Sequence, residues 1–279
     1  MQSENTPKIS VIMSVYNQRN RMQLEQAIKS VLRQTFSDYE FIIYDDGSDE
    51  NIHEYLTEFS KLDKRIILIS DPVNHGLAYS LNTCINVAKG VYLARMDDDD
   101  ICEPERFAVQ CEFLDHHPEI AFVGCNAKLI DDKGVWGIRK MQEHPDKHAF
   151  LRFSPFIHPT VMIRRQVLEG GNTYRCDKKN WRCEDYELFM RLWRLGHRGY
   201  NIQQELFCYR EDRHAYKKRK FRYRIDELQL RYRNFKELGM SGPVTWLFII
   251  RPLVAGIVPS WLILKTKRIY HRLCRDKVA

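Results

Sequence analysis

The chain has 279 residues, 44% of them hydrophobic and 29% charged, with a formal net charge of +7. That length suits one large domain or a domain with an appendage, and that composition excludes a disordered chain. Eight cysteines stand singly, with no CxxC and no Cys/His spacing of a zinc site, so they read as reduced thiols of a cytoplasmic protein.

Residues 1–8 contain no apolar stretch, so no signal peptide is expected. Ile9 to Val15 predicts a buried strand ending at Tyr16-Asn17. Leu24, Ile28, Val31 and Leu32 then recur at helical spacing. Glu40 to Tyr44 predicts a second strand, which runs into Asp45-Asp46-Gly47-Ser48-Asp49. Ile52 to Phe59 is helical in pattern, and Arg65 to Ile69 predicts a third strand stopped by Asp71-Pro72. Gly76 opens a helix carrying Leu77, Leu81, Cys84, Ile85 and Ala88 on one face. Val91 to Met96 predicts a fourth strand, ending in Asp97-Asp98-Asp99-Asp100. Pro104 suits the start of a helix through Phe107, Cys111 and Leu114, and Ile120 to Gly124 predicts another strand. This alternation implies βαβ units: an α/β, Rossmann-like fold with a mainly parallel sheet and flanking helices. Ligands gather at the C-terminal ends of such strands, and the polar clusters after strands one, two and four share that edge.

Beyond residue 130 the pattern loosens. Asp131-Asp132-Lys133-Gly134 reads as a hairpin turn, Thr160 to Ile163 as a strand and Glu184 to Leu195 as a helix. Cys208 to Arg224 holds eight basic residues against two acids, with no nucleic-acid-binding motif beside them. Val244 to Leu264 is apolar and about the length of a membrane span. Arg251 lies centrally in it, costing about 2.5–3.5 kcal/mol there, and Pro252 and Pro259 break the helix. Both flanks are basic, which places both on the cytoplasmic side; a re-entrant or interfacial element satisfies this and a single span does not. Burial against the preceding domain, or in a homodimer, stays open.

Packed carboxylates repel, so a fold does not gather four aspartates for stability. A divalent cation relieves the repulsion, and hard oxygen donors suit Mg²⁺ or Mn²⁺ with positions left for a substrate phosphate. A solvated acidic turn is the bland alternative. Asp45 and Asp46 suit a uracil N–H or a ribose hydroxyl, and equally an Asp-Gly turn. Glu184-Asp185 at a helix start suits either dipole capping or general-base chemistry.

Taken in order, Ile9 to Asn17, Asp45 to Ser48, Asn74 to Leu77, Ala94 to Ile101, Pro104-Glu105-Arg106, Gln110 and Glu184-Asp185-Tyr186 resemble the landmarks of the family 2 glycosyltransferases, which have the GT-A fold. The likeness covers roughly residues 8 to 210 and points to the bacterial polysaccharide and lipopolysaccharide type. It implies an inverting, metal-dependent transfer from a nucleotide sugar, a UDP-sugar first, to a hydroxyl of a saccharide or polyprenyl- or lipid-linked glycan. It assigns nucleotide-sugar binding to Val15, Tyr16, Asn17, Asp45, Asp46, Asn74, Gly76, Arg95, Asp97 and Asp98. It assigns Mn²⁺ or Mg²⁺ to Asp99 and Asp97, with His214 as a further ligand. Asp185 becomes the general base, Glu184 orients the acceptor, and His158 and Thr160 line the acceptor pocket. Members usually carry a small residue where this chain has Asp98. The expected organisation is a catalytic domain over 1–210 (donor half 1–126, acceptor half 127–210). A basic helical, membrane-associating extension then covers 211–279, with its apolar segment at 244–264, on the inner face of the plasma membrane. A sugar nucleotidyltransferase would need a glycine-rich loop after the first strand, where this chain reads Tyr16-Asn17-Gln18-Arg19-Asn20. A non-catalytic basic membrane or nucleic-acid adaptor would have no use for the acids at 97, 99 and 185.

Overall fold

The computed structural model describes residues 6–177, 180, 182–211, 221–257, 265–266 and 269. In the amino-terminal part, β1 (Ile9–Val15), β2 (Tyr39–Asp46), β3 (Ile66–Asp71) and β4 (Tyr92–Met96) alternate with α1 (Arg21–Leu32), α2 (Glu50–Leu62) and α3 (Leu77–Val87). Side chains cap two of these helices: Asn20 accepts from the N–H of Gln23, and Asp49 from that of Ile52. Then follow β5 (Ile101–Cys102), α4 (Arg106–His116), β6 (Ile120–Asp131), β7 (Gly134–Arg139) and β8 (Met162–Arg164). The described chain continues with α5 (Glu184–Arg194), β9 (Arg198–Arg210), α6 (Phe221–Glu237) and α7 (Pro243–Ile257).

One sheet runs in the order β3-β2-β1-β4-β8-β6-β9-β5, with β7 paired to β6. The pairs β1–β2, β2–β3 and β1–β4 are parallel. The chain steps outward through β2 and β3, then returns to the other side of β1, so a crevice opens at the C-terminal ends of β1 and β4. Beyond β4 the sheet is mixed: β8 is antiparallel to β4 and β6, and β6 is parallel to β9. β5 and β7 are antiparallel additions. The expected parallel order therefore holds from β3 to β4 and gives way beyond it.

Helices cover both faces. Leu24, Ile28, Leu56, Phe107 and Leu114 from α1, α2 and α4 fill one core layer against Val11, Met13, Phe41 and Ile43. Leu81, Ile85, Phe189 and Leu192 from α3 and α5 fill the other against Ile12, Ile42 and Leu93. Strands buried on both faces read as unbroken apolar runs, which is why β1 was visible to the residue.

α6 and α7 lie against each other and bury Leu230, Phe235 and Ile249 in the second layer. Arg231 fastens α6 by donating Nη1 to Leu151 O at 2.8 Å, with its guanidinium 5.1 Å from the Tyr186 ring. Arg251 is drawn back to the Arg152 carbonyl. No helix among the described residues is long and apolar enough to cross a membrane. Residues 258–264 of the apolar segment, Pro259 among them, lie outside the described residues, as does His214. Two sequence boundaries are corrected. Thr160 closes a 3₁₀ turn over His158–Thr160, with β8 starting only at Met162, and the helix expected from Pro104 starts at Arg106.

Candidate active site

The pleat of β4 stops at Met96, and Asp98 and Asp99 form a turn. Asp97, Asp99 and Asp100 converge there, with one carboxylate oxygen from each within 4.8 Å of the other two. Asp98 stands outside this group and takes a hydrogen bond from the Gln18 side chain. A continued pleat would have set Asp98 opposite its neighbours and left Asp100 as a cap; the turn instead recruits Asp100. Burial, and then the charges of Asp99 and Asp97, hold the carboxyls of Asp98 and Asp100 well above the ordinary range. Three hard-oxygen donors this close fit a divalent cation such as Mg²⁺ or Mn²⁺.

Two arginines fix the turn. Arg106, 0% exposed, donates Nη2 to Arg95 O at 2.9 Å and Nε to Gln110 Oε1 at 3.0 Å. Gln110 passes the restraint to Thr160 O at 2.8 Å. From the end of β9, Arg210 donates its backbone N–H to Asp100 Oδ1 at 2.6 Å and its Nε to Asp99 O at 2.8 Å.

Arg95, 4% exposed, is the central cation. Its Nη1 forms an ion pair with Asp97, while its Nε has no hydrogen-bond partner. Its charge also reaches Glu184, Asp185, His158 and Tyr174. The aspartate turn and the acidic pair of α5 thus lie within reach of one buried guanidinium. Arg182, a non-glycine residue at φ 70°, makes the tight turn into α5. Glu184, Asp185 and Glu187 occupy its first turn, where the helix dipole favours carboxylates. Burial, and then the adjacent Glu184, push the Asp185 carboxyl up to about 6; burial raises Glu184 too. Asp185 also accepts from the N–H of Tyr186 in the first turn of α5.

Tyr174 was not anticipated. Its hydroxyl lies 2.7 Å from His158 Nε2, and its backbone N–H and C=O bond to the Asn82 side chain at 2.9 and 2.7 Å. Burial, and then Arg95, lower the His158 pKa well below its usual value. Thr160 is corrected: it is 0% exposed and its hydroxyl donates to Ile157 O at 2.7 Å, so it braces the wall and does not line it.

On the donor side the loops after β1, β2 and β3 are tied together. Asn17 N–H donates to Ser48 Oγ at 3.0 Å, and Asp49 N–H to Asn17 Oδ1 at 2.8 Å. Asp45 accepts from Ser48 N–H and meets His53 Nδ1 at 2.9 Å. Asp46 accepts from the N–H groups of His75 and Gly76, both at 2.8 Å, and from Asn74 Nδ2 at 2.9 Å. These two carboxylates are 2% and 1% exposed, and every oxygen already accepts a bond from the chain itself. The N–H groups just before α3 are thus held by Asp46. Gly47 makes this closure feasible: at φ +75°, a Cβ there would meet Asn74 N at 2.7 Å. Val15 is buried in the core beneath, and Tyr16 is 51% exposed.

The profile of Glycosyl transferase family 2 matches residues 10–177. The chain belongs to this family and is a glycosyltransferase of GT-A fold. It is 35% identical over 259 residues to the putative glycosyltransferase EpsE of Bacillus subtilis (strain 168), covering 91% of each chain. It is 28% identical over 274 residues to the UDP-Gal:alpha-D-GlcNAc-diphosphoundecaprenol beta-1,3-galactosyltransferase of Escherichia coli, covering 92% of this chain and 94% of that one. Among solved structures it resembles S. aureus TarS 1–349 in complex with UDP-GlcNAc, at a TM-score of 0.66 and 16% identity, over 90% of this chain and 71% of that one.

Proposed function

We propose that the chain transfers a sugar from a UDP-sugar, with inversion, to a hydroxyl of a saccharide or lipid-linked glycan in surface-polysaccharide synthesis. One observation supports this reading: the buried Arg95 is ion-paired with Asp97 of the aspartate turn and its charge also acts on Asp185, so the proposed cation-holding carboxylates and the proposed base share one neighbourhood. The donor half is assigned to 1–126, the acceptor half to 127–210 and the membrane-side extension to 211–279. The relative named for UDP-Gal and a diphosphoundecaprenol acceptor supports both substrate classes.

Asp97, Asp99 and Asp100 would hold the divalent cation, which when bound offsets the diphosphate charge. The residues do the rest. Tyr16 and Asn17 edge the donor pocket, and Asp45, Asp46, Asn74 and Gly76 keep its loops rigid. Arg95, buried beside Asp97, offsets the negative charge of the turn. Asp185, ionised above about pH 6, takes the proton of the acceptor hydroxyl as that oxygen attacks the anomeric carbon, and the nucleoside diphosphate leaves from the opposite side. A single base acting once gives inversion. Glu184 orients the acceptor, and Tyr174, held by His158, closes that wall.

The test is UDP release from a set of UDP-sugars with Mn²⁺ and a saccharide acceptor. Asp99→Ala and Asp185→Asn must each abolish release while circular dichroism stays native. Release that persists in both variants refutes the assignment.

A further inference from the structure

A helix on the surface of a globular protein turns its apolar side inward. α7 is apolar on both. Thr245 and Ile249 are buried against the domain, yet Val244, Trp246, Leu247, Ile250 and Val254 are exposed, Leu247 at 71%. Trp246, Ile250 and Val254 follow at i+4 and form one outward stripe, with Leu247 beside it. α7 contains no acidic residue, and its one cation, Arg251, bends back to the Arg152 carbonyl, leaving the stripe uncharged. From α6, the half-exposed Tyr232 ring sits 5.6 Å from that of Trp246, and Arg233 and Lys236 are exposed on the same helix.

Charge selects the occupant. Residues 211–279 hold 17 Lys and Arg against 6 Asp and Glu, whereas residues 1–210 hold 27 against 31. All of the net positive charge therefore belongs to the segment that bears the apolar stripe. A second copy on this face would set two such cationic segments against each other, which is unfavourable. An anionic bilayer surface complements both features. Apolar side chains enter the acyl boundary, Trp and Tyr sit at headgroup depth, and Lys and Arg meet the phosphates.

We propose that the outward face of α7, with the adjoining basic edge of α6, docks on an anionic lipid surface. The use of such docking, keeping the crevice beside a lipid-linked acceptor, rests on the proposed function; the docking itself does not. The full chain is sedimented with phosphatidylcholine vesicles, alone or with about one third phosphatidylglycerol. Binding to the anionic vesicles is expected to be at least about tenfold tighter, and to weaken at about 0.5 M salt. Leu247→Glu/Ile250→Glu should lower it at least about tenfold, with unchanged circular dichroism and unchanged turnover of a water-soluble acceptor. Should that variant misfold, Arg233→Ser/Lys236→Ser must weaken anionic binding about tenfold instead. Equal binding to neutral and anionic vesicles overturns the inference. So does wild-type binding in the folded variants, or a wild-type dimer that binds no vesicle and that Leu247→Glu/Ile250→Glu splits. The vesicle sedimentation itself contains no sugar donor, so its failure leaves sugar transfer standing, and absent UDP release leaves docking standing.

Discussion

Asp185→Asn separates the cost of the proposed base from its use. The folded protein holds this carboxyl at about 6 against an ordinary 3.8, a difference of about 3 kcal/mol that disfavours the ionised side chain. The unfolded chain ionises above 3.8, while the folded chain does so only above about 6. Wild-type stability therefore falls as pH rises between those values and receives no further penalty from Asp185 above them. An amide carries no charge to penalise. The contact of the carboxylate with the α5 N-terminus is already contained in that difference, so the net gain at pH 8 is about 3 kcal/mol. Urea denaturation at pH 4, 6 and 8 reads the difference directly: small at pH 4, most of its full size by pH 6 and full at pH 8. Turnover should fall about 10²–10⁴-fold in the same variant. In the wild type, kcat/KM should rise with pH through about 6 and then level off. A stability difference constant with pH, or a variant less stable than wild type at pH 8, would refute the buried-base argument.

Gly47→Ala forces a Cβ to 2.7 Å from Asn74 N at φ +75°, so stability should drop by at least about 2 kcal/mol and the donor KM should rise more than kcat falls. Arg210→Ala removes the Nε bond to Asp99 O but keeps the backbone bond to Asp100; the Mn²⁺ concentration for half-maximal rate should rise about tenfold with the fold retained, as a metal titration will read.

The amino-terminal βαβ part was legible because β1 and β2 are buried on both faces and their loops carry the polar residues. The acidic pair of α5 was legible because it stands at the very start of a strong helix signal. Other features needed partners that the sequence does not display. β9 pairs with β6 through register shifts, so its alternation lapses, and Gly-Tyr-Asn-Ile-Gln-Gln reads as a loop. Arg210 and Tyr174 sit in no motif; one acquires its role from Asp99 and Asp100, the other from Asn82 and His158. Asp45 and Asp46 looked like free ligands only because the closure permitted by Gly47 is a property of three loops at once.

The two-residue strand β5 leaves the aspartate turn and is clamped by the end of β9, more than a hundred residues later in the chain. A nascent polypeptide that has emerged only through the aspartate turn after β4 therefore possesses the acidic residues without the brace that gathers them. Maturation of the centre is delayed until nearly the entire sheet has closed, because so distant a pairing must first overcome the entropy of its intervening loop. Synthesis cut short before residue 210 would yield fragments unable to organise these carboxylates as the finished enzyme does.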